Sequence, residues 1–139
     1  MNYVAIIAGA FSVMLLGWIW FNPKVLGTPW MKEVGLTEDD MKNANPMTMV
    51  GALLMAVVIA WAFSRYASHT EEGMSQLVHG MYHGVMTALL FVAPVIVSKS
   101  LFEKKSLSWI LIVAGYWVLA ITILSGIVFA LTPVAEAAG

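Results

Sequence analysis

Two histidines, His79 and His83, stand four residues apart in the otherwise apolar stretch LVHGMYHGVM, Leu77 to Met86. On a helix that spacing places both imidazoles on one face. Imidazoles so placed can hold zinc, copper or iron, ligate a haem or chlorin, or handle a proton. Glu72 lies seven residues before His79, so a helix begun early aligns Glu72, His79 and His83. His69, Glu71 and Arg65 fall in the same connection. The pair lacks the glutamate that makes the His-Glu-x-x-His pattern specific for zinc, so no metal is assigned. A neutral imidazole can also hydrogen-bond a neighbouring helix. That structural role is the expectation for His79 and His83, with ligation and proton handling as the competing chemistry.

The same stretch carries a second pattern. Gly80 and Gly84 form a small-x-x-x-small pair, extended by Gly73 and Ala88. Such a face lets two helices approach closely. A later apolar run offers Gly115, Thr122 and Gly126 on one side. The expectation is that these faces pack together, or that the glycine face meets another copy of the chain. Tyr116 lies deep in that later run and its hydroxyl needs a partner, for which Thr87 is placed at matching depth.

The elements that must position these residues are long apolar runs. Of 139 residues, 60% are hydrophobic and 11% charged, against about 25% charged in an average soluble domain. The runs fall near residues 3–21, 47–65, 77–98 and 108–131. Each is long enough, at about 1.5 Å per residue, to cross a hydrocarbon core of about 30 Å. In lipid each must close its own backbone hydrogen bonds, so the fold class expected is all-α: an integral membrane four-helix bundle in one domain. Met1-Asn2-Tyr3 has no positive charge, so the first run reads as a retained span rather than a signal peptide. Pro94 should kink the third helix. His79 and His83 then lie about 3 Å and about 9 Å below that helix's start.

Six of the seven Lys and Arg residues sit in two connections: Lys24, Lys32 and Lys42, then Lys99, Lys104 and Lys105. Only Arg65 borders the remaining turn, Arg65–Gln76. The positive-inside rule places the lysine loops in the cytoplasm and both termini outside. Residues 22–46 read as an interfacial segment of two short helices, with apolar contacts from Val25, Leu26, Trp30, Met31 and Val34. Thr28 is a candidate N-cap with Pro29 at the first helical position and Gly35 as the stop. Thr37 caps a second turn in a capping box with Asp40, and Asn45-Pro46 opens the second long helix. Trp18, Trp20, Phe21 and Trp109 at one end, and Tyr3, Trp61, Phe63 and Tyr66 at the other, read as interface belts. The ten methionines read as scattered packing residues.

The stretches WFNPKVLGTPWMKEVGL and LFEKKSLSWILIVAGYW carry a resemblance. They are similar to the bacterial domain-of-unknown-function 1761 family: an aromatic-then-proline exit from helix one, a Gly-x-x-Trp-Met loop, and a Phe-Glu-basic turn before a Gly-Tyr helix. Here these are Trp20, Pro23, Gly27, Trp30, Met31, Gly35, Phe102, Glu103, Lys104, Gly115 and Tyr116. The resemblance covers nearly the whole chain and implies a small integral membrane protein of four helices. It implies no activity, and the histidine pair is outside its pattern.

Net charge of -1 and the lack of a basic run exclude a general nucleic-acid binder. The lack of cysteine excludes disulfides and thiolate chemistry. Phosphate loops, nucleophile elbows and paired catalytic carboxylates are absent from the sequence. The expected role is therefore non-enzymatic: a structural or accessory subunit that forms homo-oligomers or joins a larger membrane complex. An oligomeric channel or transporter, and a haem-, pigment- or metal-binding subunit using His79 and His83, are the alternatives; any cofactor is left open.

Overall fold

A computed structural model describes residues 1–67 and 73–133. His69, Glu71 and Glu72 lie outside the described residues, so their alignment with His79 has no structural counterpart here. The fold is an all-α bundle with no strand among the described residues. Four helices are long and apolar enough to cross a membrane. They are α1 (Tyr3–Trp20), α4 (Pro46–Ser64), the third long helix (Gln76–Phe102) and α7 (Leu107–Leu131).

Local chemistry sets the ends of these helices. The Asn2 side chain caps α1 by accepting from the amides of Val4 and Ala5. Asn22 and Pro23 end that helix and turn the chain through a π-helical turn, Pro23–Gly27. Gly27 is required there, because a Cβ would overlap the Phe21 carbonyl. Two short helices follow, α2 (Thr28–Val34) and α3 (Glu38–Lys42). Thr28 does not cap α2. It is already helical, and its hydroxyl donates to the Pro23 carbonyl, 2.9 Å away, closing the preceding π turn instead. Gly35 ends α2 in the left-handed region, φ 72°. The Thr37–Asp40 capping box is complete: the Asp40 amide donates to the Thr37 hydroxyl, and the Thr37 amide to the Asp40 carboxylate.

The third long helix is built in three pieces: α5 (Gln76–Thr87), a π-helical turn (Ala88–Val92) and α6 (Ala93–Phe102). The wide turn sits immediately before Pro94. Proline lacks an amide proton and its ring crowds the carbonyl four residues back, so the backbone widens where it cannot close a regular turn. The helix runs beyond Ser98 to Phe102, where Lys99 pairs with Glu103 at 2.6 Å across one turn.

α7 is the hub. α5 packs along one flank of it, α1 along another, and α4 packs chiefly on α1. The most deeply buried large side chains, Phe129, Leu124 and Val128, all belong to α7. Gly9 of α1 allows this closeness, since a Cβ there would stand 2.8 Å from a Val128 methyl. The two lysine-bearing connections meet at one end, where the Ser106 hydroxyl donates to the Glu33 carboxylate at 2.6 Å. At the opposite end, the Asn2 amide donates to the Leu131 carbonyl.

Candidate functional site

α5 starts at its Ser75 cap and carries Gln76, His79, Gly80, His83 and Gly84 toward α7. His79 is 4% exposed and His83 is exposed. Their Nε2 atoms lie 2.9 Å apart, so one ring donates and the other accepts. Both rings lie against Phe129 of α7: His79 edge-on at 5.4 Å and His83 stacked at 5.6 Å. Among the described residues, the Nδ1 of His79 and both side-chain polar atoms of Gln76 are buried without a partner.

The glycines make this contact possible. A Cβ on Gly84 would overlap the Ser125 hydroxyl and stand 2.8 Å from the Ile121 carbonyl oxygen and the Thr122 Cα. A Cβ on Gly80 would stand 2.7 Å from the Phe129 Cβ. From the other side, a Cβ on Gly126 would stand 2.7 Å from Met81. Ala88 is fully buried one turn further on. The Ser125 hydroxyl bonds back to the Ile121 carbonyl at 2.7 Å, so it demands nothing of α5.

Two of the glycines expected on this face lie elsewhere. Gly73 sits in the turn before α5 at φ 85°, with nothing within 4 Å of a built Cβ; its backbone conformation is its reason. Gly115 faces α1, because Trp20 lies over that turn of α7 and donates from Nε1 to the Ile112 carbonyl at 3.1 Å. Tyr116 is buried, but Thr87 is not its partner. Its hydroxyl donates to the Val13 carbonyl of α1 at 3.1 Å, since the ring points toward α1 while half-buried Thr87 belongs to the helix on the other flank.

The lysine-loop end holds a second feature that the sequence concealed. Phe21 sits between Trp30 and Tyr116, with ring centroids 4.9 and 5.0 Å away, so Phe21 packs within the bundle. Beside them α1, α2, α3 and α4 line a half-open cavity of about 480 Å³. Met14, Met31, Met41 and Met49 all line it, although they are scattered over 36 positions of sequence, 14 to 49 inclusive. The apolar residues of the 22–46 segment, Trp30 and Met31 among them, were the available signal. Trp109 stacks under Lys105, whose Nζ lies 5.6 Å from the ring centroid.

Among the described residues no group of three His, Cys, Asp or Glu side chains is placed to share a metal ion. A histidine bound to metal ordinarily donates its second nitrogen to an oxygen acceptor. The Nδ1 of His79 has none, and its Nε2 is occupied by His83. Among the described residues the pair is placed as a hydrogen-bonded couple.

The fold therefore defines a small all-helical protein whose four long helices could each cross a bilayer. Within that class, a family model described as "Protein of unknown function (DUF1761)" matches residues 4–129, and the chain belongs to that family. No curated protein and no solved structure matches the chain.

Proposed function

We propose that this is a four-span integral protein of the bacterial cytoplasmic membrane, acting without catalysis as a self-associating or accessory subunit. The supporting observation is the free face of the third long helix. That helix packs on α7, yet Tyr82 is 54% exposed beside exposed His83, followed by exposed Leu89, Leu90 and Phe91. Lipid would cover the apolar side chains but would leave the Tyr82 hydroxyl and the second ring nitrogen of His83, the one not bonded to His79, without hydrogen-bond partners. A second copy of the same helix would cover both kinds. The lysine loops face the cytoplasm in this reading. Its support is that the Ser106–Glu33 bond gathers both loops at one end, so the six lysines count together against Arg65.

The chain has no native cysteine, so single cysteines report cleanly. In native membranes, a cysteine replacing Tyr82 should cross-link to a second copy, and one replacing Trp18 on α1 should not. Equal cross-linking at both positions, or none at Tyr82, would remove self-association through this face. An impermeant thiol reagent on intact cells should spare a cysteine at Lys32 and label one at Met74.

The His79–His83 contact gives a second reading, a metal- or pigment-binding subunit. Elemental analysis and visible spectra of untagged protein decide it. One equivalent of metal, or a haem or chlorin band lost in His79→Ala, would establish that reading.

A further inference from the structure

The cavity at the lysine-loop end has a composition that selects its contents. Its floor is Tyr116, reached past Gly17, where a Cβ would come within 3.1 Å of the Tyr116 hydroxyl. The short helix α3 crosses it with Met41 and Lys42. Trp18, 72% exposed, and Met49, 55% exposed, mark a lateral mouth between α1 and α4.

At about 480 Å³ the space falls within the 300–1,000 Å³ range common for small-molecule sites. Ordered water is a poor occupant, since each buried water needs two to four polar partners. Thioethers and aromatic rings make up much of the wall, and the Tyr116 hydroxyl is already committed to the Val13 carbonyl. Methionine side chains are unbranched and mould themselves to irregular apolar guests. Polar groups gather at α3. Lys42 and Glu38 line that side, and the contact of Lys42 to Asp39, 3.7 Å, is loose and exposed, so that another anion can displace it.

We infer that this cavity binds one acyl chain of a phospholipid from the surrounding leaflet, with the phosphate at Lys42. The lateral mouth fixes the direction of entry, and α3 separates a bound chain from water. The inference rests on the membrane reading above, because a bilayer supplies the lipid.

The test is native mass spectrometry of protein extracted in mild detergent and offered phosphatidylglycerol, phosphatidylcholine or tetraphenylphosphonium. Ala52 lines the mouth and is exposed, so Ala52→Trp should plug the cavity without disturbing the core. Expected is one retained phospholipid per chain, reduced at least tenfold in Ala52→Trp and partly in the milder Ala52→Leu. Lys42→Ala should weaken retention while leaving the fold intact. Retention equal in the wild-type and both Ala52 variants would mean ordinary boundary lipid, and would overturn the inference. So would preferential uptake of tetraphenylphosphonium, which would make the guest a lipophilic cation. Carbonate washing of the source membranes is the separate control. Protein that washes out sinks the membrane reading itself, whereas protein that stays but holds no lipid sinks only the cavity assignment.

Discussion

The two ends of α7 meet their neighbours by opposite means. Toward the histidine end, α5 approaches through Gly80 and Gly84, and α7 answers with Ser125 and Gly126. Backbones nearly touch, and the space is closed by small residues roofed by Phe129. Toward the lysine-loop end, α1 approaches through Trp20 and Phe21, and α7 answers with Gly115 and Tyr116. Large rings hold the helices apart, directional hydrogen bonds fix them, and a cavity remains. Small residues give a tight contact with no tolerance for added volume. Large residues give an adaptable one that leaves room for a guest.

The largest effect that tests this contrast is a side chain added at Gly84. Because even a Cβ overlaps Ser125, Gly84→Leu must drive α5 from α7. Overpacking of this kind costs about 1–3 kcal/mol or more, and the expected outcome is loss of monodisperse folded protein in mild detergent. His83→Ala removes the hydrogen-bond partner of buried His79 but adds no volume to the helix contact, so it should lower the thermal midpoint while folded protein is still recovered. Greater damage from the histidine change would show that the imidazoles, not the glycines, hold this end together. Gly115→Ala supplies the contrast at the opposite end. Its new methyl would meet Trp20 at 3.5 Å, an ordinary contact, so folding yield should be unchanged.

How much of this contrast could be read in the sequence follows from the range of each signal. The four long helices were legible because lipid-compatible helices need long unbroken apolar runs. The Thr37–Asp40 capping box was legible because its two residues sit three apart. Gly80 and Gly84 stand at the spacing that brings small residues onto one face, and that too is local. The partners of Gly115 and Tyr116 were not legible. In a chain apolar on nearly every helix face, periodicity does not say which flank of α7 meets which neighbour. The Thr87 pairing for Tyr116 rested on depth alone, and depth cannot distinguish α1 from α5. The cavity was hidden for a related reason: it depends on how α2 and α3 fold back over α1 and α4. His79 was singled out by type, but its unpartnered Nδ1 belongs to three-dimensional placement.

A middle-sized effect tests the directional bonds of the lysine-loop end. Tyr116→Phe removes the hydroxyl that reaches Val13 but keeps the ring between Phe21 and Trp117. The Val13 carbonyl keeps its place in the α1 backbone ladder, so no buried acceptor is stranded. The expected loss is about 0.5–1.5 kcal/mol, the usual net value of one such bond, seen as a lower thermal midpoint in detergent. A loss as large as that of Gly84→Leu would mean that this end is as intolerant as the other, and would break the contrast.

The smallest effect concerns α3, which crosses the cavity. Asp40 accepts from the Thr37 hydroxyl and the Thr37 amide, and these bonds hold its carboxyl below the usual carboxylate range. The sign follows from linkage. A carboxyl whose pKa is lowered by folding favours the folded turn at pH values above its ordinary pKa, and that contribution is lost as pH falls through the lowered value. The turn should therefore be intact at neutral pH and loosen only in acid, as pH falls through the lowered value. The Thr37 amide resonance reports the change directly, because its proton is shared with the carboxylate. Expected is a titration of that resonance with a midpoint below the ordinary aspartate value, absent in Asp40→Asn. A midpoint at or above the ordinary value would mean that the box is not closed in solution, and that α3 is a looser cover for the cavity than its geometry here describes.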